Sequence, residues 1–538
     1  MGFKLSINKK NAGRVRPARV SAFFRLASAA AAPVLLSLIL AGCGGGGGDA
    51  GSTYPASASQ PSVPAIAPET IEAPALSADL CAAPRTGTDP STGQPYPDRP
   101  GTVASEMTWV RAWIDHTYLW FDEIPSHVRA ANYSSPQAFF DDLRTPALTP
   151  SGKPRDQFHF MYQTEQWQAL SQAGIEAGYG FDLAIVKSQP PREVRIAYTE
   201  PGTPAAQAGI VRGARVIGVD GVDVVTTTNV TALNAALFPK AAGESHSFKL
   251  RELDGSEREL VLTSASITKV PVQNVKTLDT PTGKVGYLQF NDHLATSEAQ
   301  LIAAIAQLQA AGVQDLVLDI RYNGGGLLDI ASELAYMIAG PAATAGNVFE
   351  RLQFNRKNPF ELTEAQVATP FHAVSQGFST PPGQALPQLG LSRVTVLTGP
   401  GTCSASEAII NGLRGVDVTV TQVGGTTCGK PYGFLPEDNC GTTYFAIQFK
   451  GVNNKNFGDY ADGIAPTCVV PDDFSRPLGD PAELRLAAAL SYRATGACPP
   501  VTTGLAKAAL LDSGEPLVSG KSLARSSRLL RAGALTRH

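Results

Sequence analysis

The chain has 538 residues, 43% of them hydrophobic and 17% charged, enough to bury several cores and to divide into about three domains. Its net charge of −3 conceals an asymmetry: residues 1–25 carry seven Lys or Arg and no acid, residues 499–538 carry six against two acids, and the middle is strongly acidic. An acidic body repels phosphate backbones, which argues against nucleic acid as a partner.

Lys4 to Arg25 forms a long positive region and Leu26 to Leu40 a short, alanine-rich apolar one. The apolar stretch is too short for a membrane span and reads as a secretion signal. Leu40-Ala41-Gly42-Cys43 then resembles the bacterial lipoprotein cleavage box. That resemblance implies a signal peptide over 1–42 and a diacylated Cys43 as mature N-terminus; the plainer reading is an ordinary signal with a chance cysteine. Glycine rather than aspartate follows Cys43, so the resemblance implies the periplasmic face of an outer membrane, with lipid and not a helix as the anchor. Six further cysteines, Cys81, Cys403, Cys428, Cys440, Cys468 and Cys498, permit three disulfides in an oxidising compartment, and the spacing leaves all fifteen connectivities open.

Residues 43–100, rich in Gly, Ala, Ser and Pro, read as a flexible linker. Residues 101–173 read as a mostly helical segment. Trp109, Trp113, Tyr118, Trp120 and Phe121 stand near helical spacing before Pro125, and an aromatic stripe of this kind is usually core. Phe139, Phe140, Leu143 and the Asp156-Gln-Phe-His-Phe160 stretch complete it.

Gly178-Tyr179-Gly180-Phe181 is a glycine loop entering the strand that runs to Val186. Its backbone N–H groups can hold a peptide carboxylate, and a strand edge beside it can accept an extended chain. Glu200 to Gly209, Val216 to Gly221, and Val230, Leu233 and Leu237 at helical spacing follow in order. Together, across 174–266, these elements resemble a PDZ domain, which implies substrates presenting a free C-terminus.

From 267 to 498 strands and helices alternate, with Val285–Phe290, Ser297–Ala311, Leu316–Ile320 and Leu327–Ile338 as strand, helix, strand, helix. Such alternation means crossover connections and a largely parallel sheet. The third of these runs into Asp319-Ile-Arg-Tyr-Asn-Gly-Gly-Gly326, whose glycines let backbone approach a ligand closely. Alone, this is an ordinary strand-to-helix turn.

Val394–Leu397 is a strand, Gly399 to Gly401 breaks it, and Ile409, Ile410 and Leu413 restart at helical spacing, so Ser404 falls at the turn into a helix. A helix start has unspent N–H groups and the positive end of the macrodipole, both suited to an oxyanion. A second strand, Val416–Val423, leads to a glycine-rich turn carrying Lys430, 26 residues after Ser404. Serine needs a neighbour to take its proton, and lysine can do so only if burial brings its pKa down from about 10.4 towards neutrality. Plainer readings stand beside this. Ser404 can be a mere N-cap, and Gly424 to Lys430 fits the start of a phosphate-binding loop, although Pro431 takes the place of the magnesium-binding Ser or Thr. Cys403 and Cys428 flank the pair, but no Cys–His motif accompanies them. Thr442–Phe449 reads as one alternating strand, Ala482–Leu490 as a final helix, and 499–538 as a basic, disordered tail.

The Thr-Cys-Ser404-Ala-Ser-Glu407 and Gly-Lys430 elements, with Asp319 to Gly326 and Gly463-Ile-Ala-Pro466, resemble the carboxy-terminal processing, or tail-specific, proteases. The resemblance implies a multidomain α/β protein: an N-terminal helical segment, a β-rich PDZ domain and a crotonase-like α/β serine protease core. It implies a serine endopeptidase of the cell envelope with Ser404 as nucleophile and Lys430 as general base, and an oxyanion site from Gly325 or Gly326 with Ala405, needing no metal, cofactor or nucleotide. Glu407, one helical turn after Ser404, either orients this pair or caps the helix. Family members often place a glutamine four residues after the lysine, where this chain has Phe434. That departure keeps open an inactive, peptide-binding PDZ lipoprotein, and the crossover core keeps open a non-peptidase hydrolase.

Overall fold

The computed structural model describes residues 71–90 and 92–500, all within the compact unit that begins at Glu69. The signal peptide, Cys43, the first part of the linker and the basic tail from 501 lie outside the described residues. No helix among the described residues is long and apolar enough to cross a membrane.

The assignment of 43–100 to a flexible linker is corrected in its described part. Residues 74–77 form a helical turn, Leu80–Cys81 pairs with Arg99–Pro100, and Cys81 faces Cys440 at disulfide distance, with a Cα–Cα separation of 5.3 Å. Composition hid this because the partner lies 359 residues away. Helix α1 (Val103–Thr117) starts at Thr102, whose hydroxyl and that of Ser105 cap each other's backbone N–H groups. Trp109 and Trp113, four apart, stack at 5.6 Å. They share one aromatic core with α2 (Pro136–Asp142) and with Phe434, Tyr444, Phe445 and Ile447, far along the chain. Strand β1 (Phe160–Gln163) packs the partly buried Phe160, Met161 and Tyr162 against the same core. The segment 101–173 is thus built onto the C-terminal part of the chain.

After α3 (Thr164–Ala173), β2 (Ile175–Gly178) opens the next domain and pairs antiparallel with β8 (Ala265–Thr268), which closes it. Between them β3 (Phe181–Lys187), β4 (Glu193–Thr199), β5 (Arg215–Val219), β6 (Ser245–Arg251) and β7 (Glu257–Thr263) form a sheet in the order β7-β6-β5-β4-β3. Helix α4 (Val230–Leu237) buries Leu233 and Leu237, as their spacing requires. Strand β3 is the sheet's edge, and Gly178 to Phe181 lead into it.

The remaining core is a sheet in the order β9-β10-β11-β14-β15-β20, from β9 (Val272–Thr280), β10 (Gly283–Phe290), β11 (Asp315–Asp319), β14 (Arg393–Thr398), β15 (Thr419–Gly424) and β20 (Cys468–Val469). Only β9 runs antiparallel to its neighbour. Leu316 and Leu318 face helices α5 (Ser297–Ala310), α6 (Leu328–Ala339) and α7 (Ala405–Gly415), while Val317 faces α8 (Leu484–Thr495). Helices on both faces explain why Leu316–Leu318 of β11 read as an unbroken apolar run. A second sheet, in the order β13-β12-β19-β16, covers one end with β12 (Val348–Phe354), β13 (Ala368–Pro370), β16 (Tyr432–Gly433) and β19 (Phe449–Val452). The single strand expected over Thr442–Phe449 is two: β18 (Thr442–Phe445) pairs with β1 and with β17 (Glu437–Asn439), whereas β19 joins β12 and β16. All eight residues are buried, so alternation could not mark where the chain changes sheets.

Candidate active site

Strand β14 ends at Thr398, and a tight turn delivers Ser404 immediately before α7. The Thr402 hydroxyl donates to the Ile320 carbonyl and accepts the Gly399 N–H, tying this turn to the end of β11. Ser404 has φ 55° and ψ −117°, a positive φ that an L residue rarely takes without external support. Asn323 supplies much of it. Its carbonyl accepts the Cys403 N–H at 3.1 Å and the Ser406 hydroxyl at 3.0 Å, and its side-chain amide donates to the Phe290 carbonyl at 3.0 Å. Asn323 stands in the quoted Asp319–Gly326 motif but carries no role in the sequence reading; its neighbours in space were not visible there.

The glycines of that motif are required sterically. A Cβ on Gly325 (φ 97°) would sit 2.9 Å from the Ser404 Cβ, and one on Gly326 (φ 141°) 2.4 Å from the His293 carbonyl oxygen. The two differ in function. The Gly325 N–H donates to Asn323 Oδ1 at 3.0 Å, which leaves Gly326 as the candidate of the two alternatives, Gly325 or Gly326. Gly326 and Ala405, the first residue of α7, keep N–H groups without a partner among the described residues, and both line the cavity beside Ser404.

Lys430 lines the same cavity and is 1% exposed. Its amine lies 4.0 Å from the centre of the Phe434 ring and 5.1 Å from that of Phe158. Burial pushes its pKa well below the ordinary lysine value, while the charges of Asp156 and Glu407 pull the other way. The Asp156 carboxylate is itself held down at about 2 by His159 and Tyr118 against the effect of burial. The N-terminal segment thus helps to enclose the lysine through Phe158 and Asp156.

Glu407 caps the start of α7 and also bonds backbone groups of the Lys430 loop. Its Oε2 accepts the N–H groups of Ser404 at 3.0 Å and Lys430 at 2.8 Å, and its Oε1 accepts the Gly429 N–H at 2.9 Å and the Thr427 hydroxyl at 2.5 Å. Burial raises its pKa, and these four donors oppose that shift. One carboxylate therefore joins the start of α7 to the loop carrying Lys430. Cys403 and Cys428, at disulfide distance with Cα atoms 5.2 Å apart, join the same two segments beside it. Their sulfurs and a Glu407 oxygen are close enough together to form a metal-ligand set, but the sulfurs face each other as a pair and the carboxylate is occupied.

The phosphate-loop reading of Gly424–Lys430 is not supported, because an extended strand and not a helix follows the lysine. The catalytic-cysteine reading finds no partner: no histidine is among the residues lining the cavity. His293 is buried behind the glycine loop with Nδ1 2.9 Å from Asn323 Oδ1, and burial lowers its pKa to about 3. Gly178, Tyr179, Gly180 and Phe181 lie in the domain built on β3–β7, apart from this cavity. The Tyr179 hydroxyl donates to the Ala236 carbonyl of α4, and Gly180, at φ 86°, leaves room for Thr203.

Residues 284–470 match the family model described as Peptidase family S41, 105–158 that of the Peptidase S41 N-terminal domain, and 168–246 that of the PDZ domain. The chain is 28% identical over 265 residues to a carboxyl-terminal-processing protease of Picosynechococcus, a match covering 48% of this chain and 56% of that protein. It is 25% identical over 343 residues to one from Synechocystis, covering 63% and 72%. The chain thus spans little more than half the length of the first relative. A crystal structure described as a putative S41 protease from Bacteroides fragilis aligns with a TM-score of 0.55 at 25% identity, over 72% of this chain and 97% of that one.

Proposed function

The chain belongs to the carboxyl-terminal-processing protease family of S41 peptidases, and from that premise we propose that it is a serine endopeptidase working through Ser404 and Lys430. The observation that carries this reading is the amine of Lys430, enclosed by Phe434 and Phe158, in the cavity that also holds Ser404 and two unspent N–H groups. Neutral Lys430 takes the Ser404 proton as the hydroxyl oxygen attacks a peptide carbonyl. The negative oxygen is received by the N–H groups of Gly326 and Ala405. The lysine then gives its proton to the departing amine, and water releases the acyl group by the same steps in reverse order. Glu407 is a positioning residue: it holds the two backbone segments and not the reacting atoms. Phe434 replaces a polar holder with an apolar one, which favours the neutral amine.

The PDZ edge strand β3 and the loop Gly178–Phe181 bind the free C-terminus of a protein or peptide substrate. The paired cysteines form three disulfides, Cys81–Cys440, Cys403–Cys428 and Cys468–Cys498, consistent with an oxidising envelope compartment. Cys43 is the lipid anchor, on the periplasmic face of an outer membrane. Palmitate labelling of the wild type and of Cys43→Ala checks the anchor, since label on both would remove it. Hydrolysis of an unfolded protein by wild type and Ser404→Ala checks the activity. Equal rates would leave the PDZ-bearing binding protein as the better account, and an acyl-enzyme trapped from a thioester but not from a peptide would favour a non-peptidase hydrolase.

A further inference from the structure

The cavity beside Ser404 extends past the reacting groups to a carboxyl group that the chemistry above does not use. Glu350, on β12, lines it together with Leu328, Ala408, Phe449 and Tyr460. The residue is 6% exposed, and its carboxyl has no hydrogen-bond or ion-pair partner among the described residues. Buried carboxyl groups almost always have partners, because leaving one unsatisfied is costly. The local backbone is shaped around this one. A β-bulge between Val348 and Glu350 interrupts the pairing of β12 with β13, the kind of irregularity that re-aims a side chain. On the neighbouring strand β19, a Cβ at Gly451 would fall 1.3 Å from Glu350 Oε1, so only glycine lets the carboxyl lie across that strand. The neighbouring residue Phe349 packs instead against Gly412 of α7.

Resting on the peptidase reading, we propose that Glu350 is a specificity-determining residue: the pocket next to Ser404 receives a basic side chain, lysine or arginine, from the residue whose carbonyl is attacked. The aliphatic stem lies along Leu328, Ala408 and Phe449, and the cationic head meets the carboxylate of Glu350, which gains the partner it lacks. Long basic side chains suit such a place because their methylenes are apolar and only the tip is charged. Desolvation raises the Glu350 pKa to about 8; an arriving cation opposes that shift and draws the proton off.

The test is a set of peptides identical except at that residue, carrying Lys, Arg, Leu, Gln or Glu, with kcat/KM measured for wild type, Glu350→Gln and Glu350→Asp. The wild type is expected to prefer Lys or Arg over Leu by about tenfold or more and to discriminate most strongly against Glu. Glu350→Gln is expected to lose the Lys-to-Leu ratio, and Glu350→Asp to keep part of it. The ratio is read within each protein, so a change in overall activity does not decide the matter. A wild type that cleaves after Leu as well as after Lys overturns the proposal without any variant, as does an unchanged ratio in Glu350→Gln. Cleavage that survives in Ser404→Ala overturns the peptidase reading itself, and so the two failures are distinguishable.

Discussion

A lysine carries an ammonium group in water and can serve as a base, the role proposed for Lys430, only by leaving it. The aromatic faces of Phe434 and Phe158 remove the solvent that would stabilise the charge. Because the folded pKa lies below that of the unfolded chain, the unfolded state binds more protons at neutral pH. Stability linked to this residue is therefore fully present above about pH 10.4 and is lost as pH falls towards the folded pKa. Three outcomes are expected. Activity on an unfolded protein rises with pH as the amine gives up its proton, and Lys430→Ala lowers kcat by about 10²–10⁴-fold. Lys430→Met abolishes activity yet raises the melting temperature at pH 7, measured by calorimetry. A flat rate between about pH 6 and 9 would contradict a titrating lysine. That the residue at 434 is phenylalanine was plain in the sequence; that its ring faces the amine was not, since a local pattern carries no information on ring placement.

At the scale of elements, strands and helices around the site were legible to within a few residues. Leu316–Ile320 and Val394–Leu397 are apolar runs ended by glycine or by a polar turn, and that is what a strand buried on both faces looks like. What could not be read is the linkage between elements. Glu407 belongs to α7 by sequence, but three of its four hydrogen bonds reach Thr427, Gly429 and Lys430 on another segment. Glu407→Gln puts an amide NH₂ against N–H donors, and is expected to cost about 1–3 kcal/mol in denaturant unfolding and to reduce kcat while leaving KM nearly unchanged. A variant as active and as stable as wild type would show that the carboxylate only caps the helix. The Cys403–Cys428 pair makes the same connection in parallel. Replacing both by serine is expected to lower activity more than it lowers binding of a C-terminal peptide. Tryptic mass mapping without reductant should recover the linked peptides, and free thiols at both positions would remove the bridge.

Across the whole molecule, the PDZ domain and the peptidase core meet through charge. Arg212, in the turn before β5, donates to the Tyr322 hydroxyl at 2.6 Å and to Asp472 at 2.7 Å. Asp472 also accepts from Arg321 at 2.9 Å and from Tyr322, and Arg321 continues to Asp319 and Glu483. Three arginines, 212, 321 and 485, hold the Asp472 carboxyl far below the usual range despite its burial. Tyr322 and Arg321 lie in the same short motif as Asn323 and Gly326, so the PDZ domain is tied to the loop that carries the proposed oxyanion donor Gly326. The sequence displayed the motif and the PDZ elements separately; nothing in either indicated that Arg212 reaches from one to the other. Breaking such a buried network by removing one member leaves a desolvated charge behind. Arg212→Ala is therefore expected to keep the affinity of the PDZ groove for a C-terminal peptide, read by fluorescence polarisation on the full chain. It should lower kcat about tenfold for tailed and tailless substrates alike. If only tailed substrates slow, the domain serves as a tether; if both slow together, its seating on Asp472 and Tyr322 sets the geometry of the glycine loop. Turnover unchanged on both would mean that the network contributes to stability and not to the chemistry at Ser404.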